Sequence, residues 1–163
     1  MTDPILTTAR HSLWDAIDNF AGLDGQFKSK WRYDTDIGQY WEKIDKAGLG
    51  DFPAIGILPL IVQPNWVLNE MMEFSDAYTL DIRAPKLTTC ERLVELVWQA
   101  LYQAAPLASP TVSYVKAATG YHPKTLGPIQ RAPIGMGAGG LIRVWQFQLG
   151  IGLRLRQDPF AAS

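Results

Sequence analysis

A chain of 163 residues, 47 % apolar and 19 % charged, is long enough for one domain with a substantial core and too short for two comfortable ones. That composition excludes a wholly disordered chain, and a net charge of −1 excludes any global pull toward nucleic acid or an anionic membrane. A single cysteine, Cys90, excludes an intrachain disulfide and an all-cysteine metal site.

The charge is unevenly spread. Residues 1–51 and 52–109 each carry a net −3, whereas residues 110–163 carry +5. Such polarity suits a subunit that meets its neighbours head to tail, or one whose two ends meet different partners; six bases spread over 54 residues are not a cluster, and chance accounts for them equally well. Six Trp, six Tyr and six Phe beside so few charges fit either an ordinary aromatic core or a surface covered by partner subunits. No basic segment followed by an apolar stretch opens the chain, and no apolar run is long enough to cross a membrane. A non-secreted single domain over residues 1–163 is expected, with no membrane segment.

In chain order, Asp3 and Pro4 open a helix predicted over residues 4–21, with Leu6, Ala9, Leu13, Ala16, Ile17 and Phe20 on one face and Gly22 as its stop. Residues 22–51 are poorly patterned; Lys28–Tyr33 suits a short strand and Ile37–Lys46 a short helix, neither counted in the main architecture. Residues 51–62 read as an irregular or edge strand, and 63–76 as a loop holding Pro64, Glu70 and Glu73. Ala77–Arg83 alternates, with Tyr78, Leu80 and Ile82 inward and Thr79, Asp81 and Arg83 on a wet face. Thr88-Thr89-Cys90-Glu91 is a capping box leading a helix whose apolar face is Leu93, Val97, Ala100, Leu101 and Ala104.

Thr111–Ala118 reads as a further strand. Residues 119–140, with six Gly and three Pro, read as a long loop or arm. The last strand alternates strictly: Trp145, Phe147, Leu149, Ile151, Leu153 and Leu155 on one face, Gln146, Gln148, Gly150, Gly152, Arg154 and Arg156 on the other. That second face suits a polar channel, a partner surface or plain solvent. The expected fold is α+β, in the order α-β-β-α-β-β: a mainly antiparallel four-stranded sheet with two helices packed on one face.

Chemistry is sparse in this pattern. His11 is placed to pair with Asp15 one helical turn on, and His122 has no orienting neighbour in sequence. Cys90 sits in a helix first turn, where a macrodipole can activate a thiol, but without a partner it reads as a small packed residue. Asp34-Thr35-Asp36 lacks the further oxygens of a calcium loop. Gly135–Gly140 precedes a strand rather than a helix and lacks the Lys-Ser/Thr pair of a phosphate loop. No catalytic group, metal or cofactor is expected, and the chain reads as a non-enzyme.

The order of elements, with Leu13-Trp14-Asp15-Ala16-Ile17 in the first helix, Ala77-Tyr78-Thr79-Leu80-Asp81-Ile82 in the central strand and Glu91-Arg92-Leu93-Val94-Glu95-Leu96-Val97 in the second helix, resembles the tail-terminator and head–tail joining (neck) proteins of long-tailed bacteriophages. The resemblance implies a structural virion protein of the tail-neck region, assembled in the host cytoplasm. It implies a hexameric ring capping the tail tube, contacting the tail tube protein and a head connector or stopper protein, with DNA passing unread through the lumen. Strand edges and loops of neighbouring copies would supply the contacts. On that reading Trp31, Tyr33, Tyr40 and Trp41 are exposed aromatic interface candidates, joined by His122, Arg131, Arg154 and Arg156. The alternatives are a connector stopper or tube protein, and a small-ligand-binding or hydrolytic α+β domain with His122 in a pocket under the long loop.

Overall fold

The computed structural model describes residues 5–32, 37–67, 71–104, 124–137 and 140–157. The elements are α1 (Ile5–Asp18), β1 (Ser29–Arg32), α2 (Ile37–Asp45), β2 (Ala54–Val67), β3 (Met71–Ala84), α3 (Leu87–Ala104), β4 (Lys124–Met136) and β5 (Ile142–Gln157). One sheet holds all five strands in the order β1-β2-β3-β5-β4. β1 runs parallel to β2, and every other pair is antiparallel. The architecture is α+β, as its sequence indicates.

Alternation in β3 and β5 builds the main core. Tyr78, Leu80 and Ile82 pair in register with Ile151, Leu149 and Phe147, and Ile55 and Ile57 of β2 lie across from Ile82 and Leu80. Against this face pack Leu13, Trp14 and Ile17 of α1 and Leu93, Val97 and Leu101 of α3, all buried. Burying one such aliphatic side chain contributes roughly 1.5–3 kcal/mol, so this layer dominates the stability of the fold.

Four features depart from the expected pattern. The sheet has five strands rather than four, because Ser29–Arg32 adds an edge strand beside β2. There are three described helices rather than two, and they do not share a face. α1 and α3 cover one side, while Ile44 of α2 joins Trp31, Phe52, Ala54, Met136 and Val144 in a second core on the other. Residues 63–76 are mostly strand, since β2 and β3 pair from Ala54↔Arg83 out to Val67↔Met71. Residues 124–136, expected within a loop, form β4 along β5. The expected strand at 111–118 lies outside the described residues.

Proline explains the last two departures. β1 pairs β2 only as far as Ile57, so Pro59 and Pro64 fall where β2 has a single neighbour. Pro128 falls in the register shift between Leu126 and Gln130 of β4, an edge strand, and Pro133 pairs with Trp145. A strand with one free side has no partner for the missing amide, so proline is tolerated there. The second helix also starts earlier than its capping box. It begins at Leu87, and the Cys90 amide donates to Lys86 O at 3.1 Å, so Thr88 lies inside the first turn. Pro85 ends β3 and places that start.

Candidate functional site

Asp81 and Arg83 are two residues apart on β3 and so share a face of the sheet. That face is not wet, contrary to the alternation reading, because α2 and the segment after it fold over it. Asp81 and Arg83 are each only 7 % exposed. Arg83 donates Nε to Asp81 Oδ1 at 3.0 Å and Nη2 to Oδ2 at 2.8 Å. Gln146 donates Nε2 to Oδ2 at 3.1 Å from the neighbouring strand. Arg83 Nη1 reaches Met136 Sδ at 3.4 Å, and the guanidinium lies 5.4 Å from the centroid of Trp31. Desolvating both ions costs several kcal/mol each, and the bidentate geometry with Gln146 offsets much of it.

Beside this pair opens a recess of about 490 Å³. Trp41, Ile44 and Asp45 of α2 form one wall, Ile134, Gly135 and Met136 the other, and Arg83 lies between. The β4 wall depends on glycine. A Cβ on Gly135 would meet Gly140 O at 3.0 Å, and Gly137 and Gly140 have φ of 76° and 66°, a region side chains disfavour. The Gly-rich run thus shapes the β4–β5 connection.

A second ionic cluster ties β1 to α1. Asp18 accepts from Lys30 Nζ at 2.5 Å and from Arg32 Nη2 at 2.6 Å, and Arg32 stacks 4.6 Å over Trp14. Burial raises the Asp18 pKa, but hydrogen bonds and charges from Lys30 and Arg32 outweigh it and hold the carboxyl below its ordinary range. Cys90 is fully buried, its Sγ donating to Ile82 O at 3.4 Å, and burial pushes its thiol up to about 12. Its place in a helix first turn gives no activation; it is a packed residue.

The expected interface residues separate. Trp31 is not exposed: at 4 % exposure it packs edge-on against Phe52, ring centroids 6.1 Å apart, and under Arg83. Its register partner Gly56 brings no side chain to that spot. Trp41 is 47 % exposed and lines the recess. Arg131 is exposed on β4, with Nη1 3.7 Å from Glu91 Oε2 of α3, a surface pair of little energetic weight. Tyr33 and His122 lie outside the described residues, as do the side chains of Tyr40, Arg154 and Arg156. Asp45, Asp81, Arg83, Met136 and Gln146 were not singled out from sequence as site residues. Among the described residues no three His, Cys, Asp or Glu side chains cluster as a metal site, and no helix is long and apolar enough to cross a membrane. No protein-family model matches this chain, and no curated protein matches it.

Proposed function

We propose that this chain is a ring-forming structural subunit of the neck of a long-tailed phage, a tail terminator that acts through binding geometry rather than catalysis. The length of the strands carries the reading. β2 and β3 have 14 residues each and β5 has 16. At about 3.3 Å per residue a 14-residue strand spans roughly 46 Å. The 18 residues of α3 span only roughly 27 Å at about 1.5 Å each. β2, β3 and β5 therefore run on as a paired three-stranded ladder, from Ala77↔Gly152 to Met72↔Gln157, past what one helix can back. An arm of that length suits contact with another subunit.

Both sheet edges are blunted against strand addition. β1 is four residues long and carries Lys30 and Arg32, while β4 carries Pro128 and Pro133. Contacts through faces and arms fit this subunit better than contacts edge to edge.

Light scattering on the purified protein, followed by negative-stain images, tests the reading. A particle of about 110 kDa with a central hole, six copies of the 18.2 kDa chain, is expected. A monomer that stays one when tail tubes are added overturns it. The recess beside Arg83 favours a second reading, a small-ligand-binding domain. A rise in melting temperature with a small polar ligand, in a protein that does not assemble, would select that reading.

A further inference from the structure

The ladder of β2, β3 and β5 does not end where its helices end. α3 follows β3 after a short turn and runs back along it, with Cys90 Sγ on Ile82 O. From Cys90 to Ala104 it covers roughly 21 Å, about six strand residues, and so reaches about Asp76. α1 is tied to β1 by Asp18 at Lys30 and Trp14 at Arg32, and Arg32 pairs with Ile57. By the same rise Ile5 comes level with about Ile61. Beyond those levels the three strands stay paired as far as Val67↔Met71 and Met72↔Gln157, and no described helix reaches them.

One irregularity decides what this arm carries. The register of β2 shifts between Pro59 and Ile61. Before the shift, Ile55 and Ile57 share the core face with Ile82 and Leu80. An extra residue exchanges the two faces for everything that follows. Val62 and Trp66 therefore fall on the core face, level with Asp76 and Met72, while Gln63 and Asn65 fall on the other. Phe74 of β3 and Leu153 and Leu155 of β5 hold positions on that same face. Apolar residue types thus continue the core face outward, with Asp76 at the base and Gln157 at the tip as its polar positions. Aromatic residues bury roughly 150–250 Å² each. With two of them the face offers on the order of 600 Å², the top of the range for an ordinary monomer's largest apolar patch. Covering it from outside buries on the order of 1,200 Å² across both partners, the lower bound of a stable interface.

The opposite end of the same sheet supplies the cover. Among the described residues the large apolar side chains left exposed are Leu141 at 84 %, Leu49 at 61 % and Trp41 at 47 %. Leu141 stands in the β4–β5 turn beyond Met136↔Ile142, and Leu49 precedes β2. Leu49 lies between Ala47 and Phe52 and Leu141 next to Ile142, all three of the second core, so both leucines stand at its rim. Register places this rim at the end of the sheet where β3 finishes, with Ala84 opposite Trp145, and the arm at the end where β3 begins. We propose that the apolar face of the arm docks on the Leu49–Leu141 rim of a second copy of this chain. The proposal deepens the ring-forming reading and rests on it. Docking joins opposite ends of one sheet, so the contact is heterologous and propagates until a ring closes.

Cross-linking tests the contact. Cys90 is fully buried, so an introduced cysteine is the reactive one. Phe74→Cys and Leu141→Cys would be prepared singly and together, with circular dichroism confirming that each folds and Leu155→Cys replacing Phe74→Cys should that variant fail. With a short bismaleimide, an equal mixture of the two singles is expected to give a covalent dimer, the double variant a ladder up to six copies, and neither single alone any product. In light scattering, Leu49→Asp combined with Leu141→Asp is expected to weaken self-association about tenfold or more without moving the urea midpoint, because both side chains are exposed. Covalent dimers from Phe74→Cys alone would show arm packed on arm and overturn the proposal. A Phe74→Cys thiol shielded from maleimide in the monomer overturns it too, since the chain would then cover the arm itself. Wild type that stays monomeric up to millimolar concentration does the same. A six-membered ring untouched by the two aspartates overturns the contact and leaves the ring-forming reading standing, whereas a cross-linked ladder that closes at another number leaves the contact and overturns the terminator reading.

Discussion

Arg83 grips Asp81 side-on, Nε at 3.0 Å and Nη2 at 2.8 Å, from two residues further along the same strand and beneath the cover of α2. Neighbours on one strand face hold each other without any loop to position them, so the pair is set by β3 alone. Its surroundings come from three other strands: Trp31 from β1, Gln146 from β5 and Met136 from β4.

Breaking that pair from one side leaves a buried charge without its counter-ion. Asp81→Ala is expected to cost about 3–5 kcal/mol in urea denaturation. Asp81→Leu combined with Arg83→Met is expected to recover most of that loss, because no ion then remains buried. A double variant as unstable as the sum of its parts would show that the pair is not the coupled unit described.

The Asp18 cluster has a pH signature. Its carboxyl is held below the ordinary 3.8 by Lys30 and Arg32 in the folded chain. A depressed folded pKa contributes stability that is present above the unfolded pKa and is lost as pH falls through the folded one. Asp18→Asn is therefore expected to lower the urea midpoint near neutral pH and to flatten its decline below about pH 4. Parallel acid limbs in the two proteins would remove Asp18 from the acid transition.

Cys90 gives the opposite sign. Its folded pKa of about 12 stands above the ordinary 9.0. Stability from this burial is complete below the unfolded value and is lost as pH rises through the folded one. Native protein at pH 8 is expected to react with a disulfide reagent only through opening, so the labelling rate rises with urea in step with unfolding. Rapid labelling without denaturant would place the thiol at the surface.

Periodicity made the main layer legible. Period two in β3 and β5 and period 3.6 in α1 and α3 each mark a single face against a single core, and Tyr78, Leu80, Phe147, Leu149, Leu93 and Val97 are buried there. The second face was not legible, because Thr79, Asp81 and Arg83 carry the pattern of a solvated face whether or not a distant helix folds over it. Nothing local in β3 reports the arrival of α2. Pro133 and the glycines around it suggest a loop until the strand is known to be an edge, where a missing amide costs no ladder bond.

Trp31 and Trp41 look alike in sequence and differ in what covers them. Trp31→Ala is expected to cost about 3–5 kcal/mol, since it empties a core position against Phe52 and removes the ring beneath Arg83. Trp41→Ala removes a half-exposed ring and is expected to shift folding stability by less than about 1 kcal/mol, the range of surface substitutions with modest burial. Its effect is expected on association instead, weakened by the loss of the indole face from the recess. Urea denaturation and light scattering on the same two variants separate the outcomes. If Trp41→Ala lowers stability as far as Trp31→Ala and leaves association unchanged, α2 is a strut for the second core and the recess binds nothing through that ring.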